Sequence, residues 1–354
     1  MSLTIRQYSK GQINRAGKDM VSLEVDSKSE RFNEALDIVA NWRSCHAYPL
    51  QVVRNTLTRR ARSVDSNVLI GQREKRLVSI YLKLRDNPHM KLTTMQDLGG
   101  CRAVVRSIKE VGELVQIYRK NKSKNLSDRP IWDDYDDYIA NPKTDGYRSF
   151  HIIMRYGSKY PSRAMFNGQK IEIQIRSRLQ HAWATAVEIV QTFTGDVLKT
   201  KVKTADSFWL RFFILMSNAI AHREKSTMVP GVSTNRIEWT KELKELAKTH
   251  RVIECLEGWT NAMNRAADSP AAEAHAFVVS LDPVRNLIDV QPFRKDEIAK
   301  AQETLSSIER TIGVEANELQ VVLIYADSLD DLRRAYPNLY VDTNLFIEAI
   351  KREI

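Results

Sequence analysis

Apolar residues recur first at helical spacing: in ERFNEALDIVANWR, Phe32, Ala35, Ile38, Val39 and Trp42 fall on one face. Pro49 opens a second helix, PLQVVRNTLTRRARS, because proline is preorganised for a first turn. A third helix is expected over about 68 to 86, with Leu77, Ile80 and Leu84 as its buried stripe. The period then shortens to two. CRAVVRS, SFHIIMRY and KIEIQIRS read as strands, separated by a helix near 110 to 120 and a charged loop near 121 to 144. Strand and helix signals in alternation indicate an α/β domain.

From 178 to about 264 the pattern is helical again, and ADSP at 267 to 270 reads as a linker. Beyond it, AHAFVVSL and NLIDVQPF pair as a hairpin through Asp282-Pro283, followed by a helix at 295 to 312, the strand ELQVVLIYA and two short helices. The expected division is a helical extension over 1–68, an α/β core over 69–225, a helical connector over 226–266 and a small α+β module over 267–354.

Composition adds bounds. The chain has 354 residues, 43% of them hydrophobic and 28% charged, enough for a buried core and two domains. Cys45, Cys101 and Cys255 form no CxxC pair, which fits a reducing cytoplasm better than a disulfide framework. The amino terminus lacks an apolar run of the secretory kind. FWLRFFILM at 208 to 216 is interrupted by Arg211 and too short to cross a bilayer, so no membrane partner is expected. Net charge is +10, but residues 251–354 carry 11 Lys/Arg against 18 Asp/Glu, a net of −7, which leaves +17 on residues 1–250. That basic field attracts polyphosphates, nucleotides or nucleic acid.

Four segments carry candidate chemistry. In KIEIQIRS, Ile171, Ile173 and Ile175 alternate with Glu172, Gln174 and Arg176, which therefore line up on the opposite face. In NPKTDGYRSFHIIMRY, Tyr147, Ser149 and His151 share one parity and are expected to project together from the start of a strand. Lys75, Ser79 and Lys83 follow at i+4 steps on the third helix, a stripe suited to a triphosphate. In MQDLGGCRAVV, Asp97 precedes a Gly-Gly turn and Arg102 begins a strand. Asp97 and Glu172 on neighbouring strands would make a Mg²⁺ site, with phosphate oxygens and water completing the shell.

In this order, RxKxxxSIxxK at 73 to 83, DxxGxR at 97 to 102, PKxxGYRSxH at 142 to 151 and ExQIR at 172 to 176, then Trp183-Ala184 and Glu188, resemble the synthetase domain of the RelA/SpoT (p)ppGpp synthetases. The resemblance covers roughly residues 30 to 220. It implies a nucleotidyltransferase-like mixed sheet flanked by helices, and a pyrophosphokinase that moves the β,γ-diphosphate of ATP to a ribose 3′-hydroxyl. By motif position, Arg73 and Arg102 would sandwich adenine, and Lys75, Ser79 and Lys83 would hold its phosphates. Asp97 and Glu172 would hold Mg²⁺, with Glu172 also the catalytic base. Tyr147 would stack on the acceptor's base, with Lys143, Arg148, His151, Gln174 and Arg176 around the acceptor and the transferred group.

Asp145 stands where many members have Asn or Ser, and Ile189 where a His often follows the last motif's Glu; both are expected near the acceptor. The chain has no His-Asp dipeptide, so the hydrolase domain of the bifunctional members is not expected. GDP or GTP is the expected acceptor. Alternatives are the 3′ end of tRNA or adenosine nucleotides, as in toxin-type members, and a nucleotide sensor without catalysis. For the acidic module two readings stay open: an autoinhibitor or sensor of a protein or small-molecule trigger, as in phage-defence members, and a structural or oligomerisation domain.

Overall fold

The computed structural model describes residues 4–22, 29–75, 77–120, 131–194, 208–268, 274–282, 285, 287–312, 320–325 and 339–354. Two compact units result, Met1–Tyr138 with Ser149–Ser177, and Ile139–Arg148 with Arg178–Ile354.

In the first unit α1 (Lys10–Asp19), α2 (Glu30–Ser44) and α3 (Ala47–Arg62) precede the sheet. The Ser29 hydroxyl accepts the Phe32 amide at 3.1 Å and caps α2, satisfying one of the donors a helix start leaves open. Ala35, Ile38, Val39 and Trp42 are buried as their spacing predicts, packed with Ile13 of α1 and with Ile80 and Leu84 of α4 (Leu77–Arg85).

The strands are β1 (Leu69–Glu74), β2 (Gly99–Val105), β3 (Ile131–Asp137), β4 (Phe150–Arg155) and β5 (Lys170–Ser177), in the order β1-β2-β5-β4-β3. Only the β2–β5 pairing is parallel, so the sheet is mixed. Helices α3 and α5 (Ile108–Lys120) pack on β2 and β5. A Cβ on Gly99 would meet Ile171, His46 and Leu50, which puts the start of α3 on the isoleucine face. Ile171, Ile173 and Ile175 are 0% exposed there, and the polar residues of β5 lie on the other face.

Two elements depart from the expected pattern. Residues 69–74 form β1, not the first turns of a helix; GQRE exposes Gln72 and Arg73 on an edge strand, so no apolar alternation marks it. Lys75 lies between β1 and α4, off the helix that carries Ser79 and Lys83. The expected charged loop contains β3, whose IWDDYDD pairs with β4 through a bulge at Trp132/Asp134. Residues 121–130 of that loop lie outside the described ones.

The second unit comprises α6 (Arg178–Thr194), α7 (Phe208–Glu224), α8 (Arg236–Thr249) and α9 (Val252–Asp268), then β6 (Ala276–Asp282), β7 (Leu287–Phe293), α10 (Ile298–Ile312), β8 (Gln320–Tyr325) and α11 (Leu339–Glu353). The hairpin forms as expected within an antiparallel sheet of order β7-β6-β8. Pro283, residues 269–270 of the linker and the first of the two expected short helices lie outside the described residues; the final helix is 15 residues long.

One aromatic core joins these elements. Trp183, Phe193, Trp209, Phe213, Trp239, Trp259, Phe277 and Phe346 are all buried in it. Phe193 stacks on Trp259 at 5.6 Å and Phe213 on Phe346 at 5.8 Å. His181 Nε2 lies 3.3 Å from Asp342 Oδ2, tying α6 to α11. The expected boundaries at 225 and 266 therefore cut through a single core, because α6 and α7 bury their apolar faces against the carboxy-terminal elements. Among the described residues no helix is long and apolar enough to cross a membrane, and the three cysteines are buried thiols outside any disulfide.

Candidate active site

On the face of the first unit's sheet opposite the isoleucines, register sets the arrangement. Arg73, Gly100 and Glu172 lie abreast on β1, β2 and β5, and Gly71, Arg102 and Gln174 form the next row. Both arginines thus share the face of Glu172, as rows of paired residues point one way. His151 of β4 sits opposite Gln174 and reaches diagonally, its Nδ1 3.0 Å from Glu172 Oε1. Gln174 Nε2 donates to the other carboxylate oxygen at 2.7 Å, and Arg176 donates to Gln174 Oε1 at 3.2 Å.

Asp97 lies two residues before β2. It receives Lys75 Nζ at 2.9 Å and Lys83 Nζ at 3.0 Å, one ammonium to each oxygen. Lys75 is placed by its backbone amide, which donates to Leu98 O at 2.8 Å where β1 ends. Lys75 and Lys83 thus converge on one carboxylate from a strand end and a helix, and Ser79 sits half-buried on that helix.

Both carboxylates are held ionised. Burial pushes the Glu172 carboxyl up, but the His151 hydrogen bond and charge, the Gln174 amide and Lys83 outweigh it, bringing 4.5 down to about 2. Burial likewise raises Asp97 and the Glu172 charge adds to it, yet Lys75 and Lys83 hold it below its ordinary value. The two carboxylates therefore feel each other's charge. Since the folded value of Glu172 is the lower one, its ionisation contributes stability in full above pH 4.5, and the contribution disappears as pH falls through about 2. Wild-type stability is expected to fall more steeply than that of Glu172→Gln over this window in urea titrations at stepped pH. Parallel slopes would remove the argument.

The tyrosine turn belongs to the second unit. Gly146 N donates to Lys143 O at 3.0 Å, and Gly146 has φ 87°, a conformation glycine tolerates. Tyr147 N donates to Asp145 Oδ1 at 2.9 Å, a local turn that Asn would also close, so the departure at Asp145 is conformationally mild. Lys143 Nζ stands 5.3 Å from the Tyr147 ring centre. Ser217 Oγ on α7 donates to Gly146 O at 2.5 Å and accepts Arg148 Nε at 2.9 Å. The guanidinium of Arg148 is buried, also 3.5 Å from Ser226 Oγ, and burial lowers its pKa to about 10 despite Glu224.

The expected parity of Tyr147, Ser149 and His151 does not hold. β4 begins at Phe150, and Ser149 turns inward, fully buried, its hydroxyl donating to Ile175 O at 3.3 Å. Ile189 is likewise not at a ligand surface; it is fully buried in the second unit's core. Ser217 is the residue that sequence reasoning misses. Its one signal is the polar pair Ser217-Asn218, both buried, inside the apolar run of α7.

Gly146→Ala tests the turn. The added Cβ would stand 2.9 Å from Ser217 Cβ and 3.4 Å from Ile214 Cα, and a left-handed φ adds about 1–2 kcal/mol. A lower thermal midpoint is expected, with faster hydrogen exchange at Tyr147.

Residues 72–191 match a family model described as a region found in RelA / SpoT proteins. The GTP pyrophosphokinase YjbM of Bacillus subtilis is 31% identical over 136 residues, covering 37% of this chain and 59% of that protein. The GTP pyrophosphokinase of Haemophilus influenzae is 28% identical over 110 residues, 31% of this chain and 12% of that protein. The chain thus spans only part of these relatives' length. Among solved structures, small alarmone synthetase 1 of Bacillus subtilis bound to its product pppGpp aligns with TM-score 0.41 and 20% identity over 52% of this chain and 94% of that one. The stretch that carries Asp97, His151 and Glu172 lies within the residues that match this family model.

Proposed function

We propose that this protein is an ATP-dependent pyrophosphokinase that transfers the β,γ-diphosphate to the ribose 3′-oxygen of GDP or GTP and releases AMP. The observation that carries the reading is the cluster of two ionised carboxylates, Asp97 and Glu172, with Lys75 and Lys83 against the first and Arg73 and Arg102 on the same sheet face.

The donor set fits Mg²⁺. Two carboxylates that stay ionised despite burial and mutual repulsion favour a divalent cation, and phosphate oxygens complete its shell. When bound, the cation withdraws charge from the phosphates and fixes their geometry. Lys75 and Lys83 then turn from Asp97 to the triphosphate oxygens, where Ser79 adds a hydroxyl. Arg73 and Arg102 hold adenine between them. The acceptor 3′-oxygen forms a bond to the β-phosphorus, the bond from that phosphorus to the α,β-bridging oxygen breaks, and AMP leaves with the oxygen.

Glu172 takes the 3′-hydroxyl proton. At a pKa of about 2 it is a weak base, so its basicity rises as His151 and Gln174 release their hydrogen bonds to the incoming acceptor. Tyr147, with Lys143 beside its ring, stacks on the acceptor's base, worth roughly 1–3 kcal/mol. Arg148 acts by anchoring the tyrosine turn to Ser217 instead of touching the acceptor, while Arg176 holds Gln174.

The charge pattern supports a small acceptor. β3 presents exposed Asp134 and Asp136 next to the strand of His151, and such an edge repels a polyanion. The +17 of residues 1–250 favours the second reading, transfer to the 3′ end of tRNA. Incubation with Mg²⁺ and labelled ATP, adding GDP, GTP, no acceptor or total tRNA, separates them. Label on guanine nucleotide with equal AMP is expected. Label on tRNA alone would select the second reading, and no AMP with any acceptor would leave a nucleotide sensor.

A further inference from the structure

A cavity of about 40 Å³ opens in the first unit among the segment before α1, the α2–α3 junction and the turn into β5. Roughly 10–15 Å³ admits one water, so the space takes one small polyatomic ion and little more. Its lining includes Arg6, Lys10 and Lys170 and no carboxylate. Lys170 is shared with Asp133 at 2.8 Å, which leaves Arg6 and Lys10 as the principal charge.

Two of the lining residues carry buried polar groups that are unmatched. Gln169 is 4% exposed, and neither Oε1 nor Nε2 of its amide has a hydrogen-bond partner among the described residues. The Trp42 indole N–H is in the same position. Buried polar groups are ordinarily matched, and here an unmatched donor and acceptor belong to residues that line a basic hollow. His46 contributes shape without charge. Burial lowers its pKa to about 4, despite hydrogen bonds to the Trp42 and Arg43 backbone, and its Nδ1 lies 2.9 Å from Trp42 O.

Both walls are fixed in advance. Gln7 N donates to Asn41 Oδ1 at 3.1 Å and Asn41 Nδ2 to Ile5 O at 3.2 Å, pinning Arg6 on α2. Across the cavity, Gly168 at φ 88° donates to Tyr156 O at 2.9 Å, and Tyr156 N donates to Gln169 O at 2.8 Å.

We propose that this cavity binds a phosphate-type oxyanion. Arg6, Lys10, Lys170, the Gln169 amide and the Trp42 indole supply donors to its oxygens. Gln169 Oε1 accepts a hydrogen bond from the one oxygen that carries a proton. The last contact sets selectivity: hydrogenphosphate has that proton at neutral pH and sulfate does not. The site is built from other residues than the Asp97–Glu172 cluster and does not depend on the reaction assigned to it.

Calorimetric titration of the full chain at pH 7 with inorganic phosphate, sulfate and methyl phosphate tests this. Phosphate is expected to bind more tightly than sulfate. Methyl phosphate keeps a proton on oxygen only below its second pKa of about 6, so it is compared with phosphate at about pH 5: equal binding there assigns the site to the end of a phosphate monoester, and its exclusion to the free ion. Gln169→Leu and the double variant Arg6→Ala/Lys10→Ala are expected to weaken binding by roughly tenfold or more, the scale of a lost hydrogen bond to a charged group. Lys83→Ala, in the proposed triphosphate cradle, should leave it unchanged. In phosphate-free buffer Gln169→Leu should melt no lower than wild type, since it removes two unmatched polar atoms. Absence of phosphate binding to wild type, binding lost in Lys83→Ala but kept in Gln169→Leu, or a lower melting point of Gln169→Leu in every buffer would each overturn the proposal.

Discussion

Exchanging Glu172 for glutamine is expected to slow AMP release from ATP by roughly 10²–10⁴-fold. The substitution keeps the shape and one acceptor oxygen while removing the charge. His151 Nδ1, 3.0 Å from Glu172 Oε1, keeps a partner in that oxygen, and the bond that loses its acceptor is the one from Gln174 Nε2. Two functions are lost together: an anionic ligand for the cation and an acceptor for the 3′-hydroxyl proton. Lys75, Lys83 and Asp97 remain in contact, so affinity for ATP should change far less than turnover. Single-turnover rates at saturating ATP, with near-ultraviolet circular dichroism as a fold control, measure this. A variant with undiminished turnover would remove Glu172 from the chemistry.

Removing residues 270–354 is expected to abolish folding of the second unit. That cut takes Phe277, Val279, Leu281, Ile324, Phe346, Ile347 and Ile350 out of a core that also contains Trp183, Phe213 and Trp259. Phe346 alone is 0% exposed and stacks on Phe213, and Phe346→Ala should cost about 3–5 kcal/mol. Domains of ordinary stability have roughly 5–15 kcal/mol in total, so the point variant should melt markedly earlier and the truncation should aggregate. Expression with sedimentation analysis reads the outcome. A well-behaved truncated chain with faster AMP release would restore the autoinhibitor reading.

The strand KIEIQIRS was legible because strict alternation separates three isoleucines from Glu172, Gln174 and Arg176, and burial follows that alternation as far as Ile175, Arg176 being buried as well. Helix α2 was legible for the same reason at a different period. β1 was hidden because the i+4 spacing of Lys75, Ser79 and Lys83 reads as one helix, although Lys75 reaches Asp97 from the end of a strand. β3 was hidden because four aspartates in IWDDYDD outweigh its apolar positions. The tyrosine turn went wrong through the strand's start: residues 146–149 are not in a strand, which begins at Phe150, so parity cannot be carried back to Tyr147. Ser217 lies 71 residues from Gly146, and no local pattern reports a contact of that separation.

The outer rim formed by β3 has a consequence for how these molecules behave when crowded. Backbone amides and carbonyls along an unpartnered rim are a template on which another chain can zip. Here the bulge at Trp132/Asp134 spoils the repeat, and exposed Asp134 and Asp136 confront the same charges of any identical molecule approaching rim to rim. Concentrated preparations should therefore resist fibril growth along this rim.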